Sequence, residues 1–131
     1  MKLFLLVLAG LMAVAMVACG ESAIKFEKGT LVTGTVTASD SDVEGWNSES
    51  YLVDVIANVE YFVRLTSTNG NVIGIWSVEG DEYIIEVDSE KAARTVAYVF
   101  SESGPQELIL RSPESDIPAD FTFKLWSPSS I

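Results

Sequence analysis

The sequence predicts an all-β domain of about eight short antiparallel strands, packed as a sandwich or barrel and preceded by a cleaved N-terminal signal segment. Three observations predict this. Apolar and polar residues alternate with a period of two over much of the chain, as in strands with one buried face. β-Branched and aromatic residues dominate these runs. Clusters of Asn, Asp, Gly and Pro separate the runs at intervals of roughly 8–12 residues, which is typical of small antiparallel folds.

The first residues have the pattern of a secretory signal. Lys2 is followed by sixteen uncharged, mostly apolar residues, 3–18, which end in small side chains. A membrane-spanning helix needs roughly twenty apolar residues, so this stretch is short for a span. Segment 1–18 is therefore interpreted as a cleaved signal peptide, with a retained anchor helix as the alternative.

The stretch "MVACG", residues 16–20, holds the single cysteine of the chain. "MVAC" resembles a bacterial lipobox, in which a hydrophobic residue and two small ones precede cysteine, although Met16 stands where leucine is more usual. The resemblance implies that Cys19 receives lipid on its sulfur, for which a thiolate is the natural nucleophile, and becomes the mature N-terminus. Because Gly20 is not aspartate, the resemblance also implies sorting to the outer membrane if the cell is Gram-negative.

The chain from Cys19 onward is strongly acidic. It has 113 residues, of which seven are basic and nineteen acidic, a formal net charge of −12. This length fits one domain with a sizeable core. Nucleic acid is excluded as a partner because phosphate binding needs clustered basic residues. An anionic membrane surface does not suit the domain either, so the predicted membrane contact is made through lipid on Cys19.

Eight runs carry the strand pattern. They are residues 30–38, 51–57, 61–67, 71–78, 82–87, 95–101, 106–112 and 120–126. In seven of them one set of alternate residues is predicted to face the core: Val32, Gly34 and Val36; Tyr51, Val53, Val55 and Ala57; Tyr61, Val63 and Leu65; Tyr83, Ile85 and Val87; Val96, Tyr98 and Phe100; Leu108 and Leu110; Phe121, Phe123 and Leu125. The run "NVIGIWSV" is almost entirely apolar, which predicts a strand covered on both sides with Trp76 in the core.

The strand pattern sets the predicted domain boundaries. The lipidated cysteine and a short neck occupy residues 19–28, the β-sandwich residues 29–127, and a frayed tail residues 128–131.

From Gly29 to Trp126 the chain resembles a bacterial pre-peptidase C-terminal domain. "GTLVTGTV" resembles the opening strand of that family, "NSESYLVDVIAN" its acidic stretch with an aromatic and an alternating strand, "VFSESGPQELILRS" a later strand, turn and strand, and "ADFTFKL" the closing strand. Asn58 stands where the family usually has glycine, but asparagine tolerates positive φ; Phe121 stands where tyrosine is common. The resemblance implies a jelly-roll-like β-sandwich that serves as an adhesive or targeting appendage; another eight-stranded sandwich is the alternative.

The composition argues against an enzyme. The chain has no histidine, which excludes a Ser-His-Asp triad, a Cys-His pair and a histidine-ligated zinc. Carboxylate pairs remain, but nearly all the acids fall in turns or on predicted outer faces, and a domain of this size has little room for a deep cleft. We predict no catalytic residues.

Calcium is a candidate cofactor. The stretch "SDSDVEGWNSE" offers five oxygen donors within ten residues: Asp40, Asp42, Glu44, Asn47 and Glu49. Calcium takes six to eight hard oxygen ligands, and a glycine-containing loop between strands can surround the ion. The family resemblance implies calcium near the first strands as well, although the acidic pattern is incomplete here. A solvated acidic loop is the alternative.

Trp46 is predicted to lie in this loop, where an exposed tryptophan is often an anchor for a sugar or a protein. Together with Tyr51 it is the candidate ligand-binding pair, and a tryptophan folded back on the end of the sandwich is the alternative.

The sequence therefore predicts a lipid-anchored extracytoplasmic lipoprotein of the bacterial cell envelope. Its sandwich is expected to act as a non-catalytic binding or adhesion module for a polymer, glycan or protein, with calcium as a candidate aid. A structural or accessory subunit of an envelope protein complex is the alternative.

Overall fold

The computed structural model describes residues 23–38, 41–43 and 45–128, and for 41–43 it describes the backbone alone. Some of the sequence predictions fall outside these residues: the signal segment 1–18, Cys19, Asp40, Glu44 and the tail beyond residue 128.

The described residues form ten β-strands and one short 3₁₀ helix. They are β1 (Ile24–Lys25), β2 (Val32–Val36), β3 (Ser41–Val43), β4 (Trp46–Val55), β5 (Glu60–Ser67), β6 (Ile73–Ser77), β7 (Glu82–Val87), β8 (Ala93–Val99), β9 (Gly104–Pro113), the 3₁₀ helix (Glu114–Asp116) and β10 (Ala119–Trp126). Each of the eight predicted runs overlaps one of these strands, and the all-β prediction is confirmed.

The strands form two sheets packed face to face. Sheet I has the order β1-β4-β9-β6-β7, with β3 also paired to β4, and sheet II has the order β2-β10-β5-β8. All pairings in the described residues are antiparallel except β1 with β4, which is parallel. The result is the sandwich that the sequence predicts.

The period-two pattern places one face of each sheet in the core. In β10, Ala119, Phe121, Phe123 and Leu125 are buried, and the residues between them are half-exposed. The same alternation buries Tyr61, which is fully inaccessible to solvent, in β5. Burying one large apolar side chain contributes about 1.5–3 kcal/mol, so these inward rows supply most of the favourable free energy of folding.

Aromatic rings meet edge to face between the sheets. The ring centroid of Tyr51 in β4 lies 6.2 Å from that of Phe121 and 5.2 Å from that of Phe123. Phe26 adds a third edge-to-face contact, with its centroid 5.0 Å from Phe123. Such pairs contribute roughly 0.5–1.5 kcal/mol each beyond the burial of their area.

Gly34 allows the close approach of these rings. A Cβ atom at this position would lie 2.7 Å from Cζ of Phe121 and 2.8 Å from the phenol oxygen of Tyr51. Both contacts are shorter than real Cβ contacts, so any larger residue in β2 would force the two rings apart. The glycine in the middle of the predicted first run therefore has a packing role.

The sandwich begins earlier than predicted. Residues 24 and 25, placed in the neck by the sequence, form β1 and pair with Tyr51 and Leu52. The Phe26 amide N–H donates a hydrogen bond of 3.0 Å to the carbonyl of Leu52, and its ring packs on the core. A two-residue strand is too short to show any period in the sequence, and the sequence pattern therefore predicts the boundary at residue 29.

β4 also begins earlier than predicted, because it pairs with β9 along its full length, from Trp46 opposite Pro113 to Val55 opposite Gly104. Trp46 is thus the first residue of a strand and does not lie in a loop. Residues 47–50 are all polar, so the apolar pattern on which the prediction depended is absent there.

Asn58 has φ 66°, in the left-handed region that asparagine tolerates better than most residues. This confirms the expectation that it takes the place of a turn glycine. Its amide N–H donates to the carbonyl of Phe100 at 2.9 Å, which ties the turn after β4 to the end of β8.

Among the residues described, there is no helix with the length and apolarity needed to cross a membrane.

Candidate functional site

Three aromatic rings surround one guanidinium on the outer face of sheet I. We call Trp46, Trp76, Tyr83 and Arg111 the arginine–aromatic patch. Each residue comes from a different strand: β4, β6, β7 and β9 respectively. The four lie between 7 and 65 positions apart in sequence, and strand order and register in the sheet bring them together.

Cross-strand register places these side chains. Arg111 in β9 stands opposite Ser48 on one side and Gly74 on the other. Two residues earlier in β9, Ile109 stands opposite Trp76, and Trp76 in turn pairs with a residue of β7. Residues two apart in a strand share a face, so Arg111 and Ile109 lie side by side on the outer surface.

A β-bulge in β7 sets the direction of Tyr83. The register between β6 and β7 shifts between Ile75 and Trp76, so that Ile75 pairs with Ile85 but Trp76 pairs with Tyr83. Bulges locally increase strand twist and change the direction of a side chain. Here the bulge brings the rings of Trp76 and Tyr83 into an edge-to-face contact, with centroids 4.9 Å apart and planes at 87°.

Gly74 leaves room beside Arg111. A Cβ atom on Gly74 would lie 2.8 Å from Cε1 of Tyr83 and 2.9 Å from Cγ of Glu86. Both side chains of β7 therefore lie over the backbone of β6, where any other residue would displace them. This explains how a ring two strands away reaches the guanidinium.

The Arg111 guanidinium contacts the three rings at similar distances. Its Cζ atom lies 5.1 Å from the ring centroid of Trp46, 5.2 Å from that of Trp76 and 5.6 Å from that of Tyr83. All three are within the range of cation–π attraction, which contributes about 0.5–1 kcal/mol at exposed sites and about 2 kcal/mol when desolvated. No hydrogen bond or salt bridge joins the Arg111 guanidinium to another residue in the described part of the chain.

A shallow, open depression of about 250 Å³ lies at the centre of the patch. It is lined by Trp46, Ser48, Trp76, Ile109 and Arg111. All five side chains are half-buried. The depression therefore offers flat apolar surface together with a hydroxyl and a guanidinium, which are hydrogen-bonding groups.

The backbone before Trp46 is fixed by two features. Gly45 has φ 86°, a conformation that favours glycine, and its carbonyl accepts a hydrogen bond of 2.8 Å from the Glu114 amide. These features hold the first residue of β4 beside the end of β9. Trp46 is therefore positioned by the sheet and by its neighbouring turn.

The structure does not bring Trp46 and Tyr51 together as a ligand-binding pair. An odd number of positions separates them in β4, so their side chains point to opposite faces. Tyr51 is only 2% exposed, and its hydroxyl donates to Oε1 of Glu49 at 2.7 Å. Trp46 instead joins Trp76, which the sequence placed in the core and the structure places half-exposed on the outer face.

The candidate calcium ligands are described only in part. Asn47 is buried and Glu49 half-buried, and both point to the core side of β4, towards one end of the sandwich. Backbone pairing sets Asp42 opposite Asn47, but its side chain is outside the described part, as are Asp40 and Glu44. The described residues alone contain no group of three metal-ligating side chains. The calcium site therefore stays a prediction.

The third tryptophan lies on the opposite surface of the protein. Trp126 is on the outer face of sheet II, with its ring centroid 5.8 Å from that of Phe62 and the Lys124 ammonium 5.5 Å above it. Like the tryptophans of the arginine–aromatic patch, it is half-buried.

The pKa of Tyr83 depends on its burial and on the charges beside the patch. Burial raises the pKa of its phenol above the usual 10.0, the nearby Arg111 guanidinium lowers the pKa in part, and Glu86 raises it. The phenol is therefore neutral at physiological pH, and its ring face remains available to the guanidinium.

Sequence reasoning identified only one member of the patch as a candidate, Trp46. Alternation in the run 106–112 already placed Arg111 on an outer face, but no one-dimensional signal shows which strand lies next to it. The bulge that turns Tyr83 outward also has no signature in the sequence, so the prediction that Tyr83 faces the core with Ile85 and Val87 is wrong.

Comparison with solved structures supports the predicted type of sandwich. The fold is similar to the pre-peptidase C-terminal domain of a collagenase from Bacillus anthracis, with a TM-score of 0.61 and 10% sequence identity, over 82% of this chain and 98% of that chain. At this identity the likeness shows the fold alone. A periplasmic inhibitor of g-type lysozyme from Aeromonas hydrophila matches with a TM-score of 0.49 and 11% identity, over 80% of this chain and 98% of that chain. No protein-family model and no curated protein matches the sequence.

We predict that Arg111→Gln raises the pKa of Tyr83 further, because it removes the positive charge that lowers it. Spectrophotometric titration of phenolate absorbance measures this, with Tyr83→Phe identifying the contribution of that ring. Glu86→Gln is the matched control and shifts the pKa of Tyr83 downward.

We predict that the free energy of unfolding falls at high pH through the ionisation of Tyr83. Because the folded-state pKa of Tyr83 is raised, its contribution to stability is fully present below the unfolded value of about 10 and is lost as pH rises through the folded-state pKa. Identical Tyr83 titrations in the wild type and in Arg111→Gln would contradict the contact between guanidinium and phenol.

Proposed function

We propose that this protein is a non-catalytic, lipid-anchored binding module of the bacterial cell envelope, and that its arginine–aromatic patch binds a glycan. The observation that carries the proposal is the depression between Trp46 and Trp76, with Arg111 at its side. The chain is held at the membrane through lipid on Cys19, with the domain on the extracytoplasmic side.

The chemistry of the depression fits a sugar ring. A sugar presents apolar C–H faces and a rim of hydroxyls, so it needs flat aromatic surface and a few hydrogen-bonding groups. Trp46 and Trp76 supply the surface, and Ser48 and Arg111 supply polar groups. A volume of about 250 Å³ is below the range of about 300–1,000 Å³ typical of enclosed small-molecule sites, and an open sheet face suits one or two units of a longer polymer.

A non-catalytic role is consistent with the composition. The chain has no histidine, and its single cysteine is the predicted site of lipidation. The patch and the depression at its centre hold a guanidinium, indoles, a phenol and one serine hydroxyl, and histidine, the usual general base for a serine nucleophile, is missing from the whole sequence.

A second candidate function is an accessory subunit of an envelope protein complex. The observation that favours it is the exposure of large apolar side chains at the two edges of sheet II: Leu31 is 62% exposed, just before β2, and Val99 is 50% exposed, at the end of β8. Together with Phe62 and Trp126 between them, they are suited to contact with another protein.

Glycan binding is tested by titrating neutral and acidic polysaccharides into the full chain, purified in detergent, while tryptophan fluorescence is recorded. We expect Trp76→Ala to weaken binding by about tenfold or more, since one stacked aromatic anchor contributes about 2 kcal/mol or more. Trp126→Ala is the matched control, because it removes an equally half-exposed tryptophan from the opposite face. Equal affinity for both variants and the wild type, or no binding of any polysaccharide, would overturn the proposal.

Lipid anchoring is tested by metabolic labelling with a clickable palmitate analogue. The wild-type chain is expected to take up label and to fractionate with membranes, and Cys19→Ser to lose both. A Cys19→Ser chain that stays in the membrane fraction without label would instead support the retained anchor helix of segment 1–18.

Calcium belongs to the proposal as a stabiliser of the stretch before β4. A cation that binds only the folded state raises the melting temperature once its concentration exceeds the dissociation constant. We expect millimolar calcium to raise the midpoint and excess chelator to reverse the shift. The double variant Asp40→Asn and Asp42→Asn should abolish the shift. Asp88→Asn removes one carboxylate from a different acidic turn, between β7 and β8, and should retain the shift. No shift in the wild type would exclude the calcium site.

A further inference from the structure

We infer that the glycan bound by the arginine–aromatic patch is acidic, and that Arg111 binds a carboxylate carried by its sugar units. This inference rests on the proposed function and adds the chemical class of the ligand and the residue that selects it.

The first support is the state of the Arg111 guanidinium. A guanidinium has five N–H donors in a planar fork, and in the described residues it contacts ring faces at 5.1–5.6 Å and no carboxylate or carbonyl. Ring faces attract the charge but do not accept strong hydrogen bonds. The donors are therefore directed to solvent or to a ligand.

The second support is the distribution of acidic residues around the patch. Glu86 is the acidic neighbour in β7; its Cγ lies against Gly74, and it raises the pKa of Tyr83 without forming a salt bridge to Arg111. Glu107 lies on the same face of β9 but four positions from Arg111, about 13 Å along the strand. In a chain with nineteen acidic residues, the described strands leave this guanidinium without an acidic partner.

The third support is that the rings hold the guanidinium in place. Trp46, Trp76 and Tyr83 contact it from three strands, so its fork loses little further conformational freedom when a ligand binds. A planar carboxylate matches this fork through two parallel hydrogen bonds, and charge-assisted bonds are about twice as strong as neutral ones. A neutral sugar hydroxyl offers one acceptor and no charge.

Carboxylate and sugar ring fit the depression together. With the carboxylate on Arg111, the ring to which it is attached lies over Ile109 and against Trp76, and Ser48 is within the same depression for a ring hydroxyl. The carboxylate thus fixes the orientation of the sugar, and the indole supplies the contact area.

The overall charge of the protein opposes this ligand only at long range. A net charge of −12 repels a polyanion, but exposed charges farther away than about 8 Å are screened at physiological ionic strength. The contact at Arg111 is short-range and is screened less. A short oligosaccharide is therefore the appropriate probe, because it covers the patch without reaching the acidic turns.

The experiment compares trigalacturonic acid with its fully methyl-esterified form, which has the same rings and no charge. Both are titrated into the full chain in detergent, into Arg111→Gln, and into Arg111→Lys, which keeps the charge but not the fork. We expect the wild type to bind the acid about tenfold or more tightly than the ester. Arg111→Gln should bind both equally, and Arg111→Lys should recover only part of the preference.

The outcomes separate this inference from the proposed function. Equal affinity of the wild type for acid and ester, an unchanged preference in Arg111→Gln, or no binding of the acid at millimolar concentration overturns the inference. Binding of neutral polysaccharides that depends on Trp76 would still support the glycan-binding module. Failure of the acid, the ester and every polysaccharide overturns both. A thermal melt of each variant confirms that it is folded, and Glu107→Gln, on the same face of β9, is the control for a change of surface charge.

Discussion

Edge-to-face packing of aromatic rings between the two sheets is the contact on which the rest of the structure depends. Tyr51 of sheet I meets Phe121 and Phe123 of sheet II, and Phe26 adds the segment that joins the two sheets. The chain from Cys19 onward has no second cysteine, so no disulfide within it contributes to stability. Buried rings and aliphatic side chains must supply the free energy, which is why the inner faces have little freedom to carry polar chemistry.

The groups available to contact a ligand are consequently confined to the outer faces and the ends of the sandwich, and the two outer faces differ. On sheet I the arginine–aromatic patch concentrates rings around one cation. On sheet II, Arg64 and Lys124 stand directly opposite each other on neighbouring strands, an arrangement that destabilises a sheet when both carry the same charge. The two side chains turn in different directions: Nη1 of Arg64 donates to Oγ1 of Thr95 at 3.1 Å, and Lys124 lies over Trp126. Sheet II thus disperses its cations, whereas sheet I surrounds one with rings.

Much of the fold was predictable because its signal is local. A period of two in hydrophobicity identifies a half-buried strand without any knowledge of its neighbours, and it found β2 and β4–β10. The predictions failed where the local signal was missing or ambiguous. β1 has only two residues. The first part of β4 is polar, and it is held in the sheet by pairing with β9 without an apolar pattern of its own. Trp76 lies in a run with apolar residues on both faces, so periodicity did not show which way its side chain points.

The candidate site was less predictable for a related physical reason. Its members belong to four strands, and their proximity depends on strand order, register and one bulge, which are properties of the whole sheet. Gly74 illustrates this well. In the sequence it is a glycine inside a strand, which ordinarily destabilises the strand. In the sheet, its missing side chain leaves the room that the Tyr83 ring occupies in order to reach Arg111.

The energetics of Arg111 follow from this arrangement. An exposed salt bridge contributes about 0–1 kcal/mol, and a cation–π contact contributes about 0.5–1 kcal/mol at exposed sites and more when it is desolvated. Contact with three rings therefore stabilises the Arg111 guanidinium at least as well as a surface carboxylate would. It does so without using the N–H donors, which an ion pair would occupy. An arginine held by rings is stabilised in the free protein and keeps its N–H donors available for an acceptor, which is the combination that the proposed binding of an acidic glycan requires.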